Sequence, residues 1–239
     1  MHGENQKPRL LMQLEALVIR RHVFFYLPLL LLSVCIGPHR ASSFSGGGSG
    51  TWSKNPTVVL AAPATDPRLQ AAREAVDFWN RTFAELGTPF RLGPVVHIEG
   101  TVPIDALQAL SAQVEGRWEP VALPERIRRI PGDLVVVLSE GDFVSFAARS
   151  LSGAKIVVGI KNHRVYPLTL PNVVRNVIAH ELGHAIGLRH NDDPTTLMCG
   201  RPAPCRPAAF QLQTERFFPL TEAEKARLLT MYPPDWQGR

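Results

Sequence analysis

The stretch His180-Glu-Leu-Gly-His-Ala-Ile-Gly-Leu-Arg-His190 constrains this 239-residue chain more than any other. His180 and His184 are four residues apart. On an α-helix that step turns about 400°, so the two imidazoles stand one turn apart on a single face. Such a pair can hold one ion at nitrogen–zinc distances of about 2.0–2.1 Å. Val174, Val177, Ile178, Leu182, Ala185 and Ile186 give the helix apolar faces to bury, and Pro171 suits its first turn. Gly187 is the residue type that leaves a helix with positive φ. The chain can turn back there and bring His190 to the same ion. Three histidines leave the fourth tetrahedral position open, which is the arrangement of a catalytic zinc rather than a structural one. Glu181 neighbours the first ligand in sequence, beside the water that such an ion activates. A carboxylate there can serve as general base and then as general acid. The chain has 8 histidines and 18 glycines. The added Gly187 and His190 therefore make the longer pattern roughly 400-fold rarer than H-E-x-x-H alone.

Residues 180–190 resemble the zinc motif of the metzincins. Asp193-Pro-Thr-Thr-Leu-Met198 places a methionine eight residues after His190. It resembles the Met-turn, whose methionine lies beneath the zinc histidines in that clan. The spacing is similar to that of the matrixins. Phe218–Tyr232 resembles the matrixin C-terminal helix, with Thr221 as N-cap and Glu224 at the capping-box position. The resemblance implies an α/β (α+β) fold: a twisted, mixed, mostly parallel sheet with an active-site helix, a Met-turn and a C-terminal helix. It also implies one catalytic zinc on His180, His184 and His190, with Glu181 as the catalytic base and Met198 supporting the site. The implied activity is that of an endopeptidase acting on protein or peptide substrates. The alternatives are a zinc hydrolase with one dedicated or non-peptide amide substrate, and a non-catalytic zinc-binding envelope protein.

The chain departs from the matrixin pattern at several places. Asn191 follows the third histidine where animal matrixins usually carry Ser. After Met198 come Cys199, Gly200 and a run to Cys205 instead of Pro-x-Tyr, so matrixin specificity does not carry over. The tyrosine ligand of astacins and serralysins is missing, because Gly200 stands there. Residues 139–153 lack the His- and Asp-rich loop that holds structural zinc and calcium in animal matrixins. One zinc is therefore expected, and calcium is left open. A cysteine-switch pro-domain is not expected. Cys199 and Cys205 suit a small disulfide loop in an oxidising compartment. The alternative is a Cys199 thiolate on the metal as an inhibitory ligand.

The rest of the chain supports one folded domain over residues 57–239. Thr57–Ala62, Phe90–Ile98, Leu134–Leu138 and Ala154–Ile160 are short apolar, strand-like runs, with a further edge strand around Phe143–Ala147. Leu69, Ala72, Ala75, Val76, Trp79 and Phe83 recur at helical steps between Asp66 and Gly87. Asp66 is the expected N-cap, Pro67 the first helical residue and Gly87 the C-terminal stop. Residues 104–115 are weakly helical. A strand followed by a helix and a crossover into the same sheet points to mostly parallel pairing. An extended peptide substrate is expected along an edge strand at residues 154–160.

Residues 23–37 are almost wholly apolar and follow Arg20, Arg21 and His22. This is the pattern of a secretory signal, and the run is shorter than the roughly 17–25 apolar residues that span a bilayer. Residues 1–40 are therefore read as an N-terminal extension with a signal peptide or anchor, and the Gly/Ser-rich residues 41–56 as a linker. The chain is expected to be secreted or held in the cell envelope or periplasm. The alternative is a membrane anchor formed by residues 23–37, and no other membrane contact is implied. Five of the 26 Lys+Arg and two of the 21 Asp+Glu fall within residues 1–41, leaving 21 against 19 for the remainder. That small excess gives no support to nucleic-acid binding. A monomer is expected.

Overall fold

The computed structural model describes residues 52–238 apart from 116, 118, 201–204 and 206–211. Residues 1–40, where a signal peptide or anchor is expected, lie outside the described residues. Among the described residues five strands and five helices follow in the order β1 (Val58–Ala61), α1 (Arg68–Glu85), β2 (Val95–Ile98), α2 (Ile104–Val114), α3 (Glu125–Arg128), β3 (Leu134–Leu138), β4 (Phe146–Arg149), β5 (Ile156–Ile160), α4 (Pro171–Ala185) and α5 (Glu222–Met231). The strands form one sheet in the order β2-β1-β3-β5-β4. All neighbours are parallel except β4, which runs antiparallel to β5 with Phe146 opposite Gly159 and Arg149 opposite Ile156.

The central strands read as continuous apolar runs because helices cover both faces of the sheet. Alternate residues divide between two cores, as the two-residue period of a strand requires. Leu60, Val136, Val158 and Ile160 join the buried residues of α1 and α4 on one face. Val59, Val135, Val137 and Val157 join Leu107 and Leu110 of α2 and Ile127 of α3 on the other. Trp79 of α1 is fully buried and donates its indole N–H to the Ala179 carbonyl of α4 at 2.9 Å. That bond fixes α4 against α1 one residue before the histidine motif.

Several local expectations are corrected. Pro67 is the N-cap of α1 rather than its first helical residue, and the Asp66 carboxylate still accepts the Arg68 backbone N–H at 2.9 Å. The second strand begins at Val95 instead of Phe90. Phe90 turns inward to stack on Tyr232, and Leu92 also enters the core. The outer strand is Phe146–Arg149, shifted from the expected Phe143–Ala147. β5 therefore pairs on both sides, and residues 154–160 do not form an edge of the sheet. The linker reading extended to residue 56, yet Trp52 is buried and donates its indole N–H to the Ala185 carbonyl at 3.0 Å. An indole gains both apolar burial and a hydrogen bond there, which a Gly/Ser count cannot register.

Arg68 is 2% exposed and ties the C-terminal ends of two strands to the start of α1. Its guanidinium donates to both Asp66 carboxylate oxygens and to the Ser139 and Lys161 carbonyls just beyond β3 and β5. Burial pushes the Asp66 carboxyl up, but the hydrogen bonds and charge of Arg68 outweigh it and hold that carboxyl below its ordinary value.

Candidate metal centre

The C-terminal half of α4 carries His180, Glu181 and His184. Gly187 follows with φ +106°, a conformation that an L-residue with a Cβ rarely adopts. The Gly187 N–H meets the His184 carbonyl at 3.0 Å and the Leu188 N–H meets the Gly183 carbonyl at 2.9 Å. This pair of bonds is the Schellman arrangement at a helix end. The remaining orphan carbonyls are also met. Tyr232 donates its hydroxyl to Ile186, and Arg227 donates its Nε–H to Gly187. The helix end that presents the ligands is thereby fastened to α5.

The reversal brings His190 back over α4. Its Nε2 lies 3.1 Å from His180 Nε2 and 3.0 Å from His184 Nε2. Three nitrogens bound tetrahedrally at about 2.0–2.1 Å would sit about 3.3 Å apart, so the spacing fits zinc. The opposite ring nitrogens decide the tautomers. His180 Nδ1 faces the Leu197 carbonyl at 2.7 Å and His184 Nδ1 faces the Leu188 carbonyl at 3.0 Å. A carbonyl only accepts, so each Nδ1 carries the proton and each Nε2 turns its lone pair toward the common centre. Burial, reinforced by His180, holds His184 well below the ordinary imidazole range, which keeps its lone pair available. Among the described residues, these three histidines are the one cluster of His, Cys, Asp or Glu arranged to hold a metal. The donor set fits one zinc ion.

Glu181 is buried, and burial pushes its carboxyl up to about 8. A cation next to it favours the ionised form, so filling the centre brings this carboxylate back toward the charged state.

Below the histidines, Met198 is fully buried. A Cβ on Gly183 would lie 2.4 Å from its Sδ and 3.0 Å from Trp79 Cζ2. Gly183 therefore lets the thioether press against α4 between the two helical ligands. Asp193 accepts from the Thr195 backbone N–H at 2.9 Å and shapes the turn before the methionine. Cys199 and Cys205 are joined by a disulfide. Its sulfur is thus engaged away from the metal, which sets aside the thiolate-ligand alternative.

Three contributors escaped the sequence reading. Gly200 packs on the third ligand, since a Cβ there would lie 2.1 Å from His190 Cγ. Asn191 joins the strand-like bridge to Cys199, and its side-chain amide donates to Glu224 at 2.6 Å. Glu224 also accepts the Thr221 N–H while Thr221 caps the Glu224 N–H, so the capping box of α5 doubles as an anchor beside His190. The signal for these was the capping box itself. Nothing in the sequence linked it to Asn191.

The family model for Matrixin matches residues 143–216, from the edge strand through the histidine motif and the Met198 turn. That match and the three-histidine cluster support a metzincin-like zinc hydrolase. No curated protein sequence matches it significantly. Among solved structures it is similar to archaemetzincin from Methanopyrus kandleri, with 21% identity over 78% of this chain and 98% of that one, at a TM-score of 0.44. Metalloproteinase-II from Bacteroides fragilis gives 13% identity, 77% and 54% coverage, and a TM-score of 0.42. A zinc-dependent peptidase from Methanocorpusculum labreanum gives 16% identity, 72% and 99% coverage, and a TM-score of 0.36. The roles of single residues in this metzincin-like chain rest on the geometry above.

Proposed function

We propose that the protein is an exported zinc endopeptidase in which His180, His184 and His190 hold the metal and Glu181 moves the proton. The observation that carries this is the convergence of three Nε2 atoms, two at 3.0–3.1 Å from the third, beside a buried carboxylate. A zinc ion there would supply a Lewis acid and lower the pKa of water to about 7. Glu181 accepts a proton from the water that attacks the scissile carbonyl carbon. It returns that proton to the leaving nitrogen as the C–N bond breaks. Met198 and the two carbonyl-bound Nδ1 atoms keep the ligand rings in place.

The outer edge for an extended peptide is β4 in place of residues 154–160. Arg149 and Leu151 bond Val121 on the outward side of β4, at 2.8 and 3.0 Å. Backbone groups alternate in direction along an antiparallel strand, so Ala147 faces outward as well and can pair with substrate. Export is inferred from the basic residues and apolar run before residue 38, and N-terminal sequencing of secreted material tests it.

The purified protein and a Glu181→Gln form are to be incubated with a mixed peptide library, and zinc is to be measured in both. Cleavage of internal bonds by the intact protein alone, with equal zinc in both, supports the reading. Zinc binding without any cleavage overturns it.

A further inference from the structure

A pocket of about 40 Å³ opens beside the metal centre, with the ligand His184 in its wall. Ala147 of the edge strand and Ile156 of β5 also line it. Arg149, Arg117 and Glu119 line it too, giving two positive groups against one negative. Resting on the endopeptidase reading, we propose that this pocket selects substrates by binding a carboxylate of the peptide next to the bond cut, with Arg149 as its principal partner.

The strand register builds the pocket. Val121 bonds the outward backbone groups of Arg149 and Leu151 at the C-terminal end of β4. Arg149 is thereby fixed in place, opposite Ile156 of β5 and bonded through its carbonyl to Val121. Ala147 and Arg149 are two apart on one strand and share a face, the face that looks toward α4. A peptide that pairs with Ala147 therefore has its next side chains or its terminus within reach of Arg149.

Three observations favour an anion. Arg149 is partly buried, and neither it nor Arg117 forms an ion pair with a carboxylate among the described residues. Arg68 and Arg175, by contrast, are paired, Arg68 with Asp66 and Arg175 with Glu74 and Glu215. A half-desolvated guanidinium is best matched by a carboxylate, which it can grip with two parallel hydrogen bonds. Burial also lowers the Arg149 guanidinium from its ordinary value, as it does for a cation that lacks a compensating charge. The size agrees as well, since about 40 Å³ exceeds the roughly 10–15 Å³ that one water fills and leaves room for a group larger than water.

The carboxylate has two sources: an Asp or Glu side chain, or the C-terminus of the substrate. The test uses matched peptides carrying Glu or Gln near the cut, each with a free and an amidated C-terminus. The intact protein is expected to cleave carboxylate-bearing peptides with kcat/KM at least tenfold higher, and Arg149→Gln to abolish that ratio. A preference that survives amidation identifies the side chain, and one lost on amidation identifies the terminus. Binding of the same peptides to metal-free Glu181→Gln protein gives a second readout in which zinc cannot attract the carboxylate. The exposed Arg117→Gln form, expected to weaken the preference, covers the case in which Arg149→Gln fails to fold. Equal cleavage and equal binding of all four peptides by the intact protein would overturn the proposal, as would an unchanged ratio in a folded Arg149→Gln form. If no peptide is cut but carboxylate peptides still bind through Arg149, the endopeptidase reading fails and the pocket stands.

Discussion

Replacing Gly200 by Ala separates the metal centre from the fold that carries it. The added Cβ would sit 2.1 Å from His190 Cγ and 2.5 Å from its Cδ2 and Nδ1. Non-bonded carbon atoms rest about 3.5–4.0 Å apart, so the ring must retreat by more than about 1 Å. Ligand distances in a zinc site tolerate about 0.2 Å. His190 therefore drops out, and two ligands remain. Disturbing a partner that merely orients a ligand costs about 10–100-fold in affinity, so losing the ligand is expected to weaken zinc by at least about 100-fold. The fold should not notice. Gly200 does not lie in the left-handed region, so Ala adds no backbone strain, and His190 is exposed and can swing into solvent. Competition with a chromophoric chelator measures the affinity, and thermal unfolding of both metal-free proteins measures the fold. A Gly200→Ala protein that binds zinc as tightly as the parent would refute the placement of His190 against Gly200.

Three further outcomes follow from buried contacts. Met198→Ala leaves a void under α4 and should cost about 2–5 kcal/mol in unfolding free energy, whereas Met198→Leu keeps the volume and should cost less than about 1.5 kcal/mol; denaturant titration of each checks this. Asp66→Asn leaves the buried Arg68 with Glu140 as its remaining carboxylate partner and should cost about 1–3 kcal/mol at neutral pH. Because the folded carboxyl lies below its unfolded value of about 3.9, the Asp66 contribution is complete above that pH and fades as pH falls through the lower folded value. The gap between parent and variant should accordingly stay constant from pH 7 to about 5 and close below 4. Tyr232→Phe removes the donor to the Ile186 carbonyl and the acceptor for the Trp52 N–H, and should cost about 1–3 kcal/mol by the same titration.

The metal ligands were legible because helical spacing and one glycine fix their geometry locally. His180 and His184 needed only the 3.6-residue period, and His190 needed only the turn at Gly187. The parallel core was legible for the same reason, since β1, β3 and β5 are apolar at every position. What failed was pairing. Nothing in AKIVVGI states that β4 folds back on its far side, so the run by itself reads as an edge at residues 154–160. Phe90 and Leu92 read as strand in the sequence because apolarity does not distinguish pairing from plugging a core. Gly200 and Asn191 were invisible as site residues, because their contacts cross from the Met198 turn to His190 and to α5. Arg149 reads in sequence as an ordinary strand-end charge. Only the strand order sets it beside His184.

X-ray absorption at the zinc edge of the purified, zinc-loaded protein addresses the centre itself. The account predicts one zinc per chain with three imidazole nitrogens at about 2.0–2.1 Å and one further oxygen. A sulfur neighbour at about 2.3 Å, or fewer than three imidazoles, would contradict it.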